Sequence, residues 1–122
     1  MTIYQDKLQA LEQRTVDFSI SGIAICRPLI KDFLLRPVCE QLVRAATSVG
    51  ANYSEANNAS SKADFRNKIF IAKKEVNETR YWLKVLSGAN PDLDVSATSQ
   101  EALELNLIFQ KVISSLKSAN EK

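Results

Sequence analysis

Two groups of polar residues in this sequence have types and spacings that could do chemistry. Arg44, Ser48, Asn52 and Glu55 recur at intervals of four, four and three; Lys62, Arg66, Lys73, Arg80 and Lys84 recur at four, seven, seven and four. On a helix of 3.6 residues per turn each set falls along one face. The first would be a polar stripe able to hold hydrogen bonds and ion pairs. The second occupies an arc of about 40° and would be a row of cations suited to phosphate. Neither set is an active site. The sequence contains no histidine, which excludes a Ser-His-Asp triad, a His general base, a His metal ligand and an Arg–His nuclease pair. No nucleophile, base and orienting group can be assembled around the polar stripe. Cys26 and Cys39 have no metal-ligand spacing. These residues predict a non-enzymatic protein with no catalytic residue, no metal and no cofactor, and no small-molecule substrate is evident.

The elements that carry both sets must be helices. The chain has 122 residues, one domain's worth, with 45% hydrophobic residues, three Gly and three Pro. That is too little turn material for a many-stranded sandwich or barrel, and it suits a few long helices with short connections. The net charge of +2 names no partner by itself. Met1 to Asp6 lacks the basic start of a secretory signal, and the apolar stretch Ile20–Ile30 is interrupted by Arg27 and Pro28. The expectation is a cytoplasmic protein without a membrane span, whose two cysteines are packed free thiols.

Hydrophobic periodicity divides the chain into four helices, at about residues 3–31, 37–58, 61–87 and 98–117 of a single domain spanning 1–122. Leu8, Leu11, Phe18, Ile25 and Leu29 mark the first, with a kink or an end expected near Cys26 because of Pro28. Pro37 opens the second, whose apolar face is Val38, Leu42, Ala45, Val49 and Ala56. The third has a cap at Ser61, a heptad seam from Phe65 through Ile69, Ala72, Val76, Thr79 and Leu83 to Leu86, and a stop at Gly88. The fourth reads as a capping box at Thr98 and Glu101 followed by Ala102, Leu105, Phe109, Val112 and Leu116. The fold class is therefore all-α, an antiparallel up-down four-helix bundle.

Charge is sided on the third helix. Residues 62–86 hold seven basic and three acidic side chains, a local excess of four. The cationic arc lies on one flank of the seam, and Asp64, Glu75 and Glu78 lie on the other. In one reading the basic stems cover the seam's edge, with Glu101 and Glu104 as partners. In the other the arc binds nucleic acid through its backbone, although no glycine-rich phosphate loop or interleaved aromatic platform accompanies it. Glu75 and Glu78 are candidates to pair with Arg44. The small residues from Ala45 to Ala56, Gly50 among them, would let another helix approach closely. Packing and inter-helix hydrogen bonds are the expected role of the polar stripe.

Second apolar faces point to self-association. Leu103 and Leu107 face about 170° away from the seam of the fourth helix, and Phe70, Tyr81 and Trp82 lie off the seam of the third. Such faces suggest subunit contacts through Leu103, Leu107, Tyr81 and Trp82.

The segment Arg44-Ala45-Ala46-Thr47-Ser48-Val49-Gly50-Ala51-Asn52-Tyr53-Ser54-Glu55-Ala56 resembles the signature of bacterial proteins encoded in 23S ribosomal RNA intervening sequences, the S23 family. That pattern is an Arg, a Ser-Ile-Gly/Pro-Ala/Ser-Asn core, and a Glu followed by a small residue. Arg44, Ser48, Asn52 and Glu55 occupy its positions. A second block appears as Phe65, Ile71-Ala72 and Lys74-Glu75-Val76-Asn77-Glu78-Thr79-Arg80-Tyr81-Trp82-Leu83. The resemblance covers roughly residues 15–117 and implies a four-helix bundle assembled as a homopentameric barrel. It implies no settled activity. A similar branch, the accessory variability protein of diversity-generating retroelements, is a strongly basic pentamer that binds nucleic acid and a reverse transcriptase. This chain differs from that branch in its weak net charge, and Pro28 is not part of the family pattern.

The leading functional expectation is a non-catalytic oligomeric bundle that binds RNA, or RNA together with a protein partner. The alternative is a structural or protein-interaction module, for example a partner of a reverse transcriptase, that does not touch nucleic acid.

Overall fold

The computed structural model describes residues 2–121, with side chains to residue 117. Four helices account for nearly all of it: α1 (Ile3–Cys26), α2 (Arg36–Asn57), α3 (Lys62–Ala89) and α4 (Ser96–Glu121). They form the expected four-helix bundle. The most extensive packing is between α2 and α3; α1 lies against α2 and α4 against α3, and α1 and α4 touch least of the neighbouring pairs.

The helix ends have local causes. Thr2 and Gln5 form a reciprocal capping box at the start of α1. That helix ends at Cys26, and Arg27–Leu29 form a single 3-10 turn around Pro28. Proline therefore ends the helix and does not bend it. Ser61 caps α3 by accepting from the Asp64 backbone at 3.0 Å, as its sequence indicates. Gly88 does not stop α3. It keeps a helical conformation, and Asn90 closes the helix through its backbone and side-chain amides, at 2.9 and 3.0 Å from the Leu86 carbonyl. Nor do Thr98 and Glu101 cap α4. The helix starts two residues earlier because the Asp94 carboxylate accepts from the Ser96 backbone and hydroxyl at 3.0 and 2.6 Å, and this leaves Thr98 inside the helix and buried. The hydrogen bond from the Ser96 hydroxyl, with that from its backbone, holds the Asp94 carboxyl below its ordinary range.

The core follows the α3 seam closely: Ile69, Ala72, Val76, Thr79, Leu83 and Leu86 are all buried, with Phe65 half-buried at the end. The buried Thr79 hydroxyl donates to the Glu75 carbonyl at 2.8 Å, so it enters the core without an unmet polar group. Opposite it stand Leu42, Val49 and Tyr53 of α2 and Phe18 of α1. The Tyr53 ring packs 6.0 Å, centroid to centroid, from Phe109 of α4. In α4, Ala102, Leu105 and Phe109 are buried as the seam predicts; beyond them the phase shifts by one residue, Ile113 being buried while Val112 and Leu116 are half-buried.

Small residues dominate the contact between α1 and α2. Thr15 faces Gly50, Ser19 donates to the Ala46 carbonyl at 3.2 Å, Gly22 lies against Ala46 and Leu42, and the Cys26 thiol approaches the Cys39 carbonyl at 3.8 Å. Advancing along α1 thus retreats along α2, the antiparallel register of a helical hairpin. A methyl group on Gly50 would lie 2.9 Å from Thr15 Oγ1 and 3.2 Å from its Cβ. Thr15 cannot move aside, being fully buried with its hydroxyl bonded to the Glu12 carbonyl at 2.6 Å. Both cysteines are buried free thiols, and burial is the main cause that pushes the Cys26 thiol up to about 12. Among the described residues, no helix is long and apolar enough to cross a membrane.

The two helical glycines should respond to alanine with opposite signs. Gly88 has open space around it, so Gly88→Ala should stabilise the protein by up to about 1 kcal/mol through helix propensity. Gly50→Ala gains the same propensity but overpacks against Thr15, at a cost of about 1–3 kcal/mol, and should lower the urea midpoint. Equal gains at both positions would show that α1 and α2 are not in this close contact.

Candidate nucleic-acid interface

The cationic arc runs the length of α3. Lys62, Arg66 and Lys84 are exposed, and Lys73 and Arg80 are half-buried with their stems along the bundle. Among the described residues, none of the five has a carboxylate within 4.0 Å. The cations that do form ion pairs, Arg14, Arg44 and Lys68, lie elsewhere.

Glu101 and Glu104 are not partners of the arc. Arg14 of α1 takes both, at 2.5 and 3.5 Å, with a second hydrogen bond from its Nε to Glu101 at 3.1 Å. The hydrogen bond to Glu101 is the largest cause of a raised Arg14 pKa. Helix α4 therefore turns its carboxylates toward α1 and presents the neutral Asn106 to α3. Asn106 accepts from the Asn77 amide at 3.0 Å, and Asn77 accepts from Arg80 at 3.3 Å. An amide relay braces the arc against α4 without neutralising any of its charge.

Two exposed aromatic side chains lie beside these cations, although they are not interleaved with them. Phe70 is 57% exposed and Tyr81 is 58% exposed. Both lie within about 60° of the arc on the helical wheel. Tyr81 makes an edge-on contact with Trp82, ring centroids 5.0 Å apart. Trp82 itself is half-buried against the core, with its indole N–H directed at Glu78 over 3.4 Å. The remaining off-seam residues, Leu103 and Leu107 of α4, are exposed.

The polar stripe of α2 divides into two roles. Arg44 crosses to α3 and pairs with both Glu75 and Glu78, the contact to Glu75 being 3.2 Å. Glu55 also crosses, accepting from Lys68 at 2.8 Å. That hydrogen bond is the main cause of a raised Lys68 pKa. Ser48 and Asn52 do not bridge helices. The Ser48 hydroxyl donates to the Arg44 carbonyl and the Asn52 amide to the Ser48 carbonyl, both at 2.8 Å, within their own helix. Ser, Asn and Thr side chains readily bond the carbonyl one turn back, and the close approach of the neighbouring helices leaves that carbonyl as their partner. Among the described residues, no group of three or more His, Cys, Asp or Glu side chains could hold a metal.

Two of the comparisons with known proteins found relatives. The profile of the family described as 23S rRNA-intervening sequence protein matches residues 10–117. A crystal structure from Bacteroides thetaiotaomicron VPI-5482, of a protein with unknown function from the S23 ribosomal protein family, superposes with a TM-score of 0.77 at 31% identity, over 84% of this chain and 96% of that one. No curated protein matches the chain.

Glu75 is mostly buried and Arg44 is its partner, so Arg44→Met would leave a desolvated carboxylate unpaired. The expected loss is about 1–2 kcal/mol, measured by urea unfolding. Lys68→Met, whose partner Glu55 is well exposed, should cost less. Equal effects would mean that the Arg44 bridge is no more than a surface ion pair.

Proposed function

The chain belongs to the 23S rRNA-intervening sequence protein family, and from that premise we propose that it is a non-catalytic, self-assembling bundle that binds RNA through the cationic arc of α3. The observation that carries this reading is the sorting of charge. Glu75 and Glu78 of α3 are engaged by Arg44, Glu55 of α2 by Lys68, and Glu101 and Glu104 of α4 by Arg14, while Lys62, Arg66, Lys73, Arg80 and Lys84 are left without acidic partners among the described residues. Five cations spaced along a helix can each displace a counterion from a phosphate backbone, and such binding weakens steeply with salt. The exposed ring of Phe70 adds a face on which an unpaired base can stack. Backbone contacts of this kind position a nucleic acid without reading its sequence.

Self-assembly rests on the outer apolar faces. Leu107 is 67% exposed, and Leu103 and Tyr81 are also exposed. Packing these faces against neighbouring copies would repeat the arc around a ring, of five copies as the family resemblance implies. Several weak arcs acting on one RNA would bind it much more tightly than one.

Binding to a structured RNA, followed by fluorescence anisotropy across a salt series, tests the arc. Lys73→Glu, Arg80→Glu and Lys84→Glu in one chain should reduce affinity at least tenfold and flatten the salt dependence while the assembly stays intact; absence of binding by the natural protein at low salt would refute the reading. Light scattering tests the assembly. The natural protein should exceed the 13.6 kDa of one chain several-fold, and Leu103→Lys with Leu107→Lys should bring it down to smaller species. A monomeric mass for the natural protein at micromolar concentration would exclude side-by-side assembly.

A further inference from the structure

The end of the bundle that carries the α1–α2 connection holds a built apolar tip with no role in the fold. Phe33 and Leu34 are 81% and 78% exposed, and Ile30 beside them is exposed too. The tip is firmly shaped. The Asp32 carboxylate accepts from the Leu34 and Leu35 backbones at 2.9 and 3.3 Å, the Asp32 carbonyl accepts from the Arg36 backbone at 2.9 Å, and the Arg36 guanidinium donates to the Ile30 carbonyl at 3.0 Å. Leu29 and Leu35 anchor it in the core. A held turn that displays two large apolar side chains is pre-ordered for docking.

The second connection of this end, residues 90–95, is its electrostatic opposite. Arg27, Lys31 and Arg36 against Asp32 give the first connection +2; Asp92 and Asp94 give the second −2. All six are exposed. Ala89, Pro91 and Ala97 around the acidic pair are also exposed, and they are small or apolar. A phosphate or lipid surface would be drawn to one connection and repelled by the other. A second copy of the same end fits both. A two-fold axis perpendicular to the bundle, and to the line joining the two connections, sets each basic connection against the partner's acidic one, twice. We infer that this end docks on the same end of a second copy, with Phe33 and Leu34 against the partner's acidic connection. The inference uses none of the residues assigned to RNA binding or to side-by-side assembly, and it stands without either.

Sedimentation velocity on the full chain tests it. Phe33→Asp with Leu34→Asp should halve the natural protein's mass, whereas changes at Leu103 and Leu107 act on the lateral contacts and leave end pairing in place. Lys31→Asp alone and Asp92→Lys alone should each weaken end pairing at least tenfold, because each leaves one of the two facing connections with no net charge at both contacts. Mixing these two variants should recover part of the pairing, since one contact of the mixed pair is then +2 against −2 and the other carries the two exchanged charges face to face. The inference is overturned if the tip variant keeps the natural mass at the highest concentration reached, or if the mixture associates no better than its components. It is overturned equally if the tip variant loses flotation with phosphatidylserine vesicles at unchanged mass, which would give the tip to a lipid surface.

Discussion

The close approach of α1 and α2 is the constraint from which the rest of this bundle is built. Thr15 sits against Gly50 and Gly22 against Ala46 and Leu42, at distances where an added methyl group meets resistance. Helices brought this near gain dispersion contacts along their backbones and lose the room for large side chains between them. The large side chains of α1 and α2, Phe18, Leu42 and Tyr53, are buried in the core together with Ile69, Leu83 and Leu86 of α3 and Leu105 and Phe109 of α4. Gly50 in the small-residue run of α2 costs helix propensity, and its missing side chain is what lets Thr15 of α1 seat against it.

That seating also sorts the charges. With α1 against α2, Arg14 comes within reach of Glu101 and Glu104, and the acidic flank of α4 is turned away from α3. On the far side Arg44 gathers Glu75 and Glu78. Within the α3 arc, Arg80 is left with Asn77 and through it Asn106, neutral groups that fix position without cancelling charge. A chain with a net charge of only +2 thereby concentrates positive charge along one face.

The parts of this arrangement legible in the sequence are those made by one helix with large apolar residues. The α3 seam reads correctly from Ile69 to Leu86 because all of its positions but Thr79 are residue types commonly buried, and Thr79 keeps their spacing. The α1 contact face is harder, since Thr15, Gly22 and Cys26 do not announce a buried stripe. The start of α4 is not legible in its periodicity because Asp94 caps it from outside the periodic segment. At the site, the Arg44 bridge was legible because opposite charges flank neighbouring helices. The fate of Glu101 was not, because it depends on which two helices touch on the far side of the bundle, and a helical wheel of one helix cannot supply that.

The register of α1 on α2 is set by contacts made within the helices, Thr15 against Gly50, Gly22 against Ala46 and Leu42, and Cys26 against Cys39. The exposed side chains of the connection can therefore be replaced without sliding one helix along the other. Two neighbouring surfaces of one small chain thus differ in their tolerance of change: helix faces held by steric fit, and a turn whose Phe33 and Leu34 side chains the fold does not bury. A lineage could exchange one docking partner for another at that turn while the bundle below stayed as it was, and a designer could graft a binding loop there on the same grounds.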